Sequence, residues 1–172
     1  VDFSANMESF IGFVRNNQAW LAPIVFLIAF LESIAFVSLL VPATAILGAI
    51  GLVIGAGDLP FWTPFLAAVA GAFAGDWISY EIGRRYKSEV KGMWPLNKQP
   101  ELFERGEAFF RRYGAPGYFG GRFVGPLRAV FPLICGISDM RPLVFQATNA
   151  ASAVAWAAVY LGVGVGAGRL FG

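Results

Sequence analysis

The chain has 172 residues, of which 57% are hydrophobic and only 14% are charged, and its mean hydropathy is +0.62. A soluble domain carries about 25% charged residues, so this composition excludes disorder and argues against a water-soluble globule. With no histidine and one cysteine, Cys135, the chain has neither the commonest general base and metal ligand nor an intramolecular disulfide framework. The length fits one domain with a handful of membrane segments of about 20 residues each.

The few charges are unevenly placed. Residues 1–83 hold one basic and six acidic side chains, residues 84–112 hold eight basic and four acidic ones, and residues 113–172 hold four basic and one acidic. The central basic block is flanked on both sides by apolar sequence. By the positive-inside rule it lies in the cytoplasm, and that flanking argues against a nucleic-acid partner, which needs a basic face on a soluble module.

In chain order, residues 1–18 read as an amphipathic interfacial helix, with Met7, Phe10, Ile11 and Val14 on one face. No cleavable signal pattern is apparent, and Met7 is a candidate native start. From Asn16 to Gly57 the only charged residue is Glu32, and Pro42 interrupts the stretch. Two readings compete: a full span near 19–40 followed by a short second one near 44–57, or a hairpin (about 30–57) with its tip at Pro42-Ala43-Thr44 that enters and leaves on one side. Irregular backbone at membrane depth is tolerated only inside protein or beside a wet cavity. After the turn at Asp58-Leu59-Pro60, a helix rich in Ala and Gly is expected over about 63–86, suited to close helix contact. Residues 87–113 read as a polar connector leading into an amphipathic helix that starts at Pro100. Residues 114–138 are apolar but broken by glycines and three prolines, which suggests a second broken hairpin with its tip near Gly125-Pro126. Residues 142–168 contain no charge and read as a transmembrane helix.

The halves follow the same order: a proline-broken apolar segment, a turn with aspartate and proline (Asp58, Pro60; Asp139, Pro142), then a long small-residue helix. Asp76-Trp77 parallels Ala155-Trp156, and Gly83 parallels Gly162, both at a spacing of 79. With a single cytoplasmic connector between them, the halves would be inverted repeats, the arrangement that places a transport site at the repeat interface.

Three ionisable residues fall where charge is expensive: Glu32, Arg122 and Arg128. The arginines are six apart, so a continuous helix would separate them, whereas a break at Gly125-Pro126 lets both reach one cavity. Guanidinium groups suit phosphate oxygens, and nearby glycines expose backbone N–H groups to an anion. The alternative is structural, each arginine pairing with Glu32 or capping helix carbonyls. Glu32 is a natural proton carrier or competing counter-ion, or a structural salt-bridge partner. Asp76 reads as structural, with Arg84 or Tyr80 as its partner. Asn149 and Trp156 read as helix–helix hydrogen-bonding groups, and Cys135 as core packing.

Gly121-Arg122-Phe123-x-x-Pro126-x-Arg128-x-x-x-Pro132-x-x-x-Gly136-x-x-x-Met140 resembles the signature of the DedA family, whose domain is shared with the eukaryotic VTT membrane proteins. Glu32, Gly75-Asp76-x-x-x-Tyr80-x-x-Gly83-Arg84, and Phe145-x-x-x-Asn149 followed by Trp156 fit the same pattern, which covers roughly residues 19–168. The resemblance implies an all-α polytopic protein of the bacterial inner membrane, built of two inverted repeats, each a re-entrant hairpin plus a transmembrane helix. It implies translocation of a lipid phosphate, foremost the undecaprenyl phosphate carrier, with proton or sodium dependence. Arg122 and Arg128 match the family's functional arginines and Glu32 its functional acid. Thr44 stands where many members carry a second acid near the first hairpin tip, and many members have a further C-terminal helix. Thr44, Asp76 and Asn149 are expected to support the site. The expected partners are a polyprenyl phosphate or phospholipid, protons, and in an open reading a second copy of the chain. No cofactor, metal or enzymatic activity is expected. The alternatives are an uncoupled phospholipid scramblase, a lipid-phosphate enzyme and an envelope assembly factor.

Overall fold

The computed structural model of the chain describes residues 16–34, 43–57, 59–92, 96–98, 100–124, 127–128 and 130–171. The expected interfacial helix before residue 16, and the expected hairpin tips at Pro42 and at Gly125-Pro126, lie outside the described residues.

Among the described residues all regular structure is helical. Helix α1 spans Gln18–Ser33, α2 Ala43–Ala56, α3 Trp62–Tyr86, α4 Pro100–Gly121, α5 Phe131–Ile137 and α6 Pro142–Phe171, with short 3-10 segments at Lys87–Gly92 and Leu96–Lys98. At 1.5 Å per residue, α1 and α2 are about 24 and 21 Å long, short of a hydrocarbon core of about 30 Å. Helix α1 ends at Ser33, where Ile34 turns to an extended backbone, so no single helix fills 19–40. Helix α6 is the one described helix both long and apolar enough to cross a membrane by length and composition. Helix α3 has the length, but it carries Asp76, Glu81, Arg84 and Arg85.

Helix α4 is two helices in one. Proline at its first position suits a start, because the missing N–H would have no intrahelical partner there. Its first part exposes Glu101, Glu104, Arg105, Arg111 and Arg112 while Phe103 and Gly106 face inward. At Gly114 the backbone takes φ 56°, ψ −133°, which glycine adopts without a Cβ clash. The chain therefore bends, and the second part, carrying Tyr118, runs into the core.

The packing is crossed. Helix α1 lies along α3 and the second part of α4 meets α6, whereas α2 packs along α6 and α5 along α3. Small residues make the crossings close, as expected where backbone approach replaces a hydrophobic drive. Gly51 and Gly55 of α2 sit against Gly164 and Gly168 of α6, backbone to backbone, and Gly71 and Gly75 of α3 receive the Phe26 and Phe30 carbonyls of α1. The parallel at spacing 79 does not extend to surroundings: Gly83 meets the Leu133 backbone while Gly162 is open, and Trp77 is exposed while Trp156 is fully buried.

One apolar cluster joins α1, α2, the start of α3 and the second half of α6 (Val25, Leu47, Ala68, Trp156, Leu161). A second, aromatic cluster joins Tyr80, Tyr118, Phe131, Cys135 and Phe145, with the Tyr80 and Phe145 rings stacked at 4.0 Å. Cys135 is core packing, fully buried. Where α5 crosses α3, a Cβ on Gly136 would overlap the Tyr80 carbonyl oxygen and crowd the Arg84 amide. Both are backbone atoms of a helix and cannot swing aside. Gly136→Ala is expected to destabilise the fold by about 1–3 kcal/mol, the usual cost of overpacking, read as a lowered unfolding midpoint in detergent.

Candidate functional site

The chain buries polar groups at the seam between the two clusters. Glu32 is 4% exposed, Asp76 5% and Arg122 4%, and Asn149 and Ser152 are fully buried. Burying such groups is costly unless they pair, so their partners define the site. Helix α1 delivers Glu32 at its last turn, α3 delivers Asp76 at mid-length beside the notch of Gly75, and α6 delivers Asn149, Ser152 and Trp156 on one face. Arg122 follows the end of α4, and Arg128 sits in the short turn before α5. The break in helix between them lets both reach the same place.

They do so by forming two ion pairs. Arg122 Nη1 pairs with Asp76 Oδ2, and Arg128 Nη1 lies 2.9 Å from Glu32 Oε1. Both guanidinium groups approach the Trp156 indole, whose ring centre is 5.6 Å from the Arg122 guanidinium carbon and 5.1 Å from that of Arg128, within cation–π range. The four charges balance to zero.

The two pairs differ in surroundings. Arg122 Nη1 also reaches Ser152 Oγ at 3.2 Å and Asn149 Oδ1 at 3.4 Å. The Tyr118 hydroxyl is 3.0 Å from Asp76 Oδ2 and 3.1 Å from Asn149 Oδ1. Asn149 Nδ2 donates to the Phe73 carbonyl at 3.0 Å, and Ser152 Oγ donates to the Asn149 carbonyl at 3.0 Å. Arg122 and Asp76 are thus caged from three helices. Yet the cage uses one nitrogen of the guanidinium: Arg122 Nε and Nη2 are buried with no hydrogen-bond partner among the described residues. Those two N–H groups form one edge of the fork, the edge that grips two oxygens of a phosphate or carboxylate side by side. Unpaired N–H donors in a buried place are expensive, and this pair has the side-by-side geometry with which a guanidinium grips an anion.

Several expectations need correcting. Asp76 pairs with neither Arg84 nor Tyr80. Arg84 points to the exposed side of α3, and the Tyr80 hydroxyl donates to the Met140 carbonyl at 2.6 Å. Only Asn149 makes the expected interhelical hydrogen bond, since Trp156 Nε1 has no partner among the described residues. Thr44 lies in the first turn of α2, but its side chain lies outside the described residues. Tyr118 and Ser152 were not anticipated. Tyr118 lies in a glycine-rich stretch with no charge beside it, and Ser152 is one small residue among many in α6, so the sequence flags neither. Among the described residues no group of three His, Cys, Asp or Glu side chains is placed to hold a metal ion.

The sequence model of the VTT domain matches residues 41–166. The inner membrane protein YabI of Escherichia coli is 33% identical over 156 residues, which is 91% of this chain and 61% of that protein. An uncharacterized membrane protein of Buchnera aphidicola, BU139, is 29% identical over 160 residues, 92% of this chain and 62% of that protein. The inner membrane protein YqjA of Escherichia coli is 25% identical over 147 residues, covering 85% and 67%. The chain thus spans about three fifths of the length of the first two. No solved structure is a significant match.

Proposed function

Because the chain belongs to the VTT-domain (DedA) family, we propose that it is a multi-pass protein of the bacterial inner membrane that carries a lipid phosphate between the leaflets. Undecaprenyl phosphate is the foremost candidate. The observation that carries this reading is the buried Nε–Nη2 edge of Arg122, which has no hydrogen-bond partner among the described residues, set beside a second guanidinium whose carboxylate partner is Glu32. A headgroup phosphate takes the open edge of Arg122 first. It then draws Arg128 away from Glu32, which takes up a proton in exchange. The lipid tails stay in the bilayer, alongside the small-residue helices.

The crossed packing, α2 on α6 and α5 on α3, supports a reading as two inverted repeats, each a re-entrant hairpin plus a long helix. Such crossing is what a two-fold relation between the halves would produce. The relatives' inner-membrane names support the location, and the basic block 84–112 supports a cytoplasmic connector. Arginines and carboxylates without a histidine suit charge exchange better than hydrolysis, so the protein is read as a carrier and not an enzyme.

The test is translocation of a phosphate lipid in proteoliposomes. The Arg122→Ala/Arg128→Ala double variant is expected to abolish it. Undiminished transport by a correctly folded double variant would sink the assignment.

A further inference from the structure

The two carboxylates are not equivalent, and their difference bears on what the site can accept. Asp76 sits on the anchored side of Arg122, opposite the open edge, and is fixed by Arg122 Nη1 and the Tyr118 hydroxyl. A headgroup that takes the Nε–Nη2 edge has no need to move it. Glu32 instead holds the arginine that a second phosphate oxygen would need. The other groups around Asp76 are Arg128 in the turn before α5, Cys135 on α5, and the neutral Asn149 and Ser152 on α6.

We propose that Asp76 is a fixed counter-ion, and that it limits the carried headgroup to a single negative charge. This rests on the lipid-phosphate reading above. The charge balance runs through the buried cluster. Two guanidinium groups and two carboxylates sum to zero before binding. A phosphodiester brings one negative charge, Glu32 takes one proton from water, and the sum is again zero. A doubly ionised phosphomonoester would leave one negative charge uncompensated in apolar surroundings, where a lone charge is strongly disfavoured. A phosphomonoester therefore enters only after its phosphate has taken a proton of its own. The substrate class is a singly charged lipid phosphate: a phosphodiester, or a phosphomonoester in its singly ionised form.

The experiment uses the full chain in maltoside micelles, which contain no competing phosphate. The probes are a dialkyl phosphate and a monoalkyl phosphate of equal carbon number. Binding is followed by calorimetry in buffers of different ionisation enthalpy, which counts protons. A phosphomonoester has its second pKa near 6, so at pH 8 only about 1% of it is singly charged. The wild type is expected to bind the monoalkyl phosphate on the order of 100-fold more weakly than the dialkyl phosphate at pH 8, and comparably below pH 6. One proton should be taken up per dialkyl phosphate and two per monoalkyl phosphate at pH 8. Asp76→Asn removes one negative charge, so the pH 8 penalty on the monoalkyl phosphate should disappear. Equal affinities for the two probes in the wild type at pH 8 would overturn the proposal without reference to any variant. Binding of neither probe would overturn the lipid-phosphate reading itself. Dimethyl phosphate, the same headgroup without tails, is expected not to compete; competition at the concentration of the dialkyl phosphate would assign the site to a free anion and overturn the lipid class.

Discussion

Arg122→Lys is expected to leave the fold intact and to reduce lipid translocation on the order of 100-fold. A lysine at this position keeps the positive charge and can still reach Asp76, so the buried carboxylate keeps a partner and the cage of Tyr118, Asn149 and Ser152 keeps its centre. What is lost is the second edge. An ammonium is a point donor on a flexible stem, and once it is turned toward Asp76 it presents nothing opposite. Losing a desolvated, hydrogen-bonded charge contact costs about 2–5 kcal/mol, and 1.4 kcal/mol is a factor of ten. The measurement is initial translocation rate in proteoliposomes, with an unfolding midpoint as control. The substitution separates two roles that alanine confounds. If Arg122 serves only to neutralise Asp76, lysine restores near-normal transport. If its open edge grips the headgroup, lysine fails while stability holds.

Much of the fold can be read along the chain because it depends on local signals. The charge-free run 142–168 marks α6, Pro142–Phe171, and the run of small residues around Gly71 and Gly75 marks the part of α3 that α1 approaches. Gly114 and Pro116 announce a bend, and the bend occurs at Gly114, where a positive φ is needed. The crossed exchange of α2 and α5 is another matter. Glycine spacing shows that α2, α3 and α6 each expose a notch, but a notch carries no address. Gly51 and Gly55 fit Gly164 and Gly168 across more than a hundred residues of chain, and only the assembled core selects that partner.

The site divides along the same line. Arg122, Arg128 and Glu32 stand out because each is a charge in apolar sequence. Asp76 is a charge in apolar sequence too, but Arg84 lies two turns further along the same helix and offers an easier local partner. Low-dielectric surroundings require these two acids and two bases to pair. Which acid meets which base is not visible, because Arg122 and Asp76 are 46 positions apart. Trp156 is legible as an aromatic in a small-residue helix, but its contact with two guanidinium groups depends on the turn that brings Arg128 back over α6.

Glu32→Gln is expected to convert a transporter driven by a proton gradient into one that ignores it. On the proposed mechanism, Arg128 is released only when Glu32 gives up its charge, so headgroup entry and proton uptake are one event at the 2.9 Å contact. Glutamine preserves size and can still hydrogen-bond the guanidinium through its carbonyl oxygen, but it leaves the cluster of Arg122, Arg128 and Asp76 with one net positive charge. Two consequences follow in opposite directions. The headgroup meets no competitor and binds more tightly, by about tenfold or more, since a buried unpaired charge is worth several kcal/mol to neutralise. Release then slows, because no carboxylate returns to take the arginine back. Translocation measured with and without an imposed pH difference should show several-fold stimulation in the wild type and a ratio near one in Glu32→Gln, at a lower absolute rate. A wild type indifferent to the gradient, together with a silent Glu32→Gln, would instead mark Glu32 as a structural partner and the protein as an uncoupled scramblase. Stimulation that survives in Glu32→Gln would move the coupling to Asp76, the other carboxylate in the cluster.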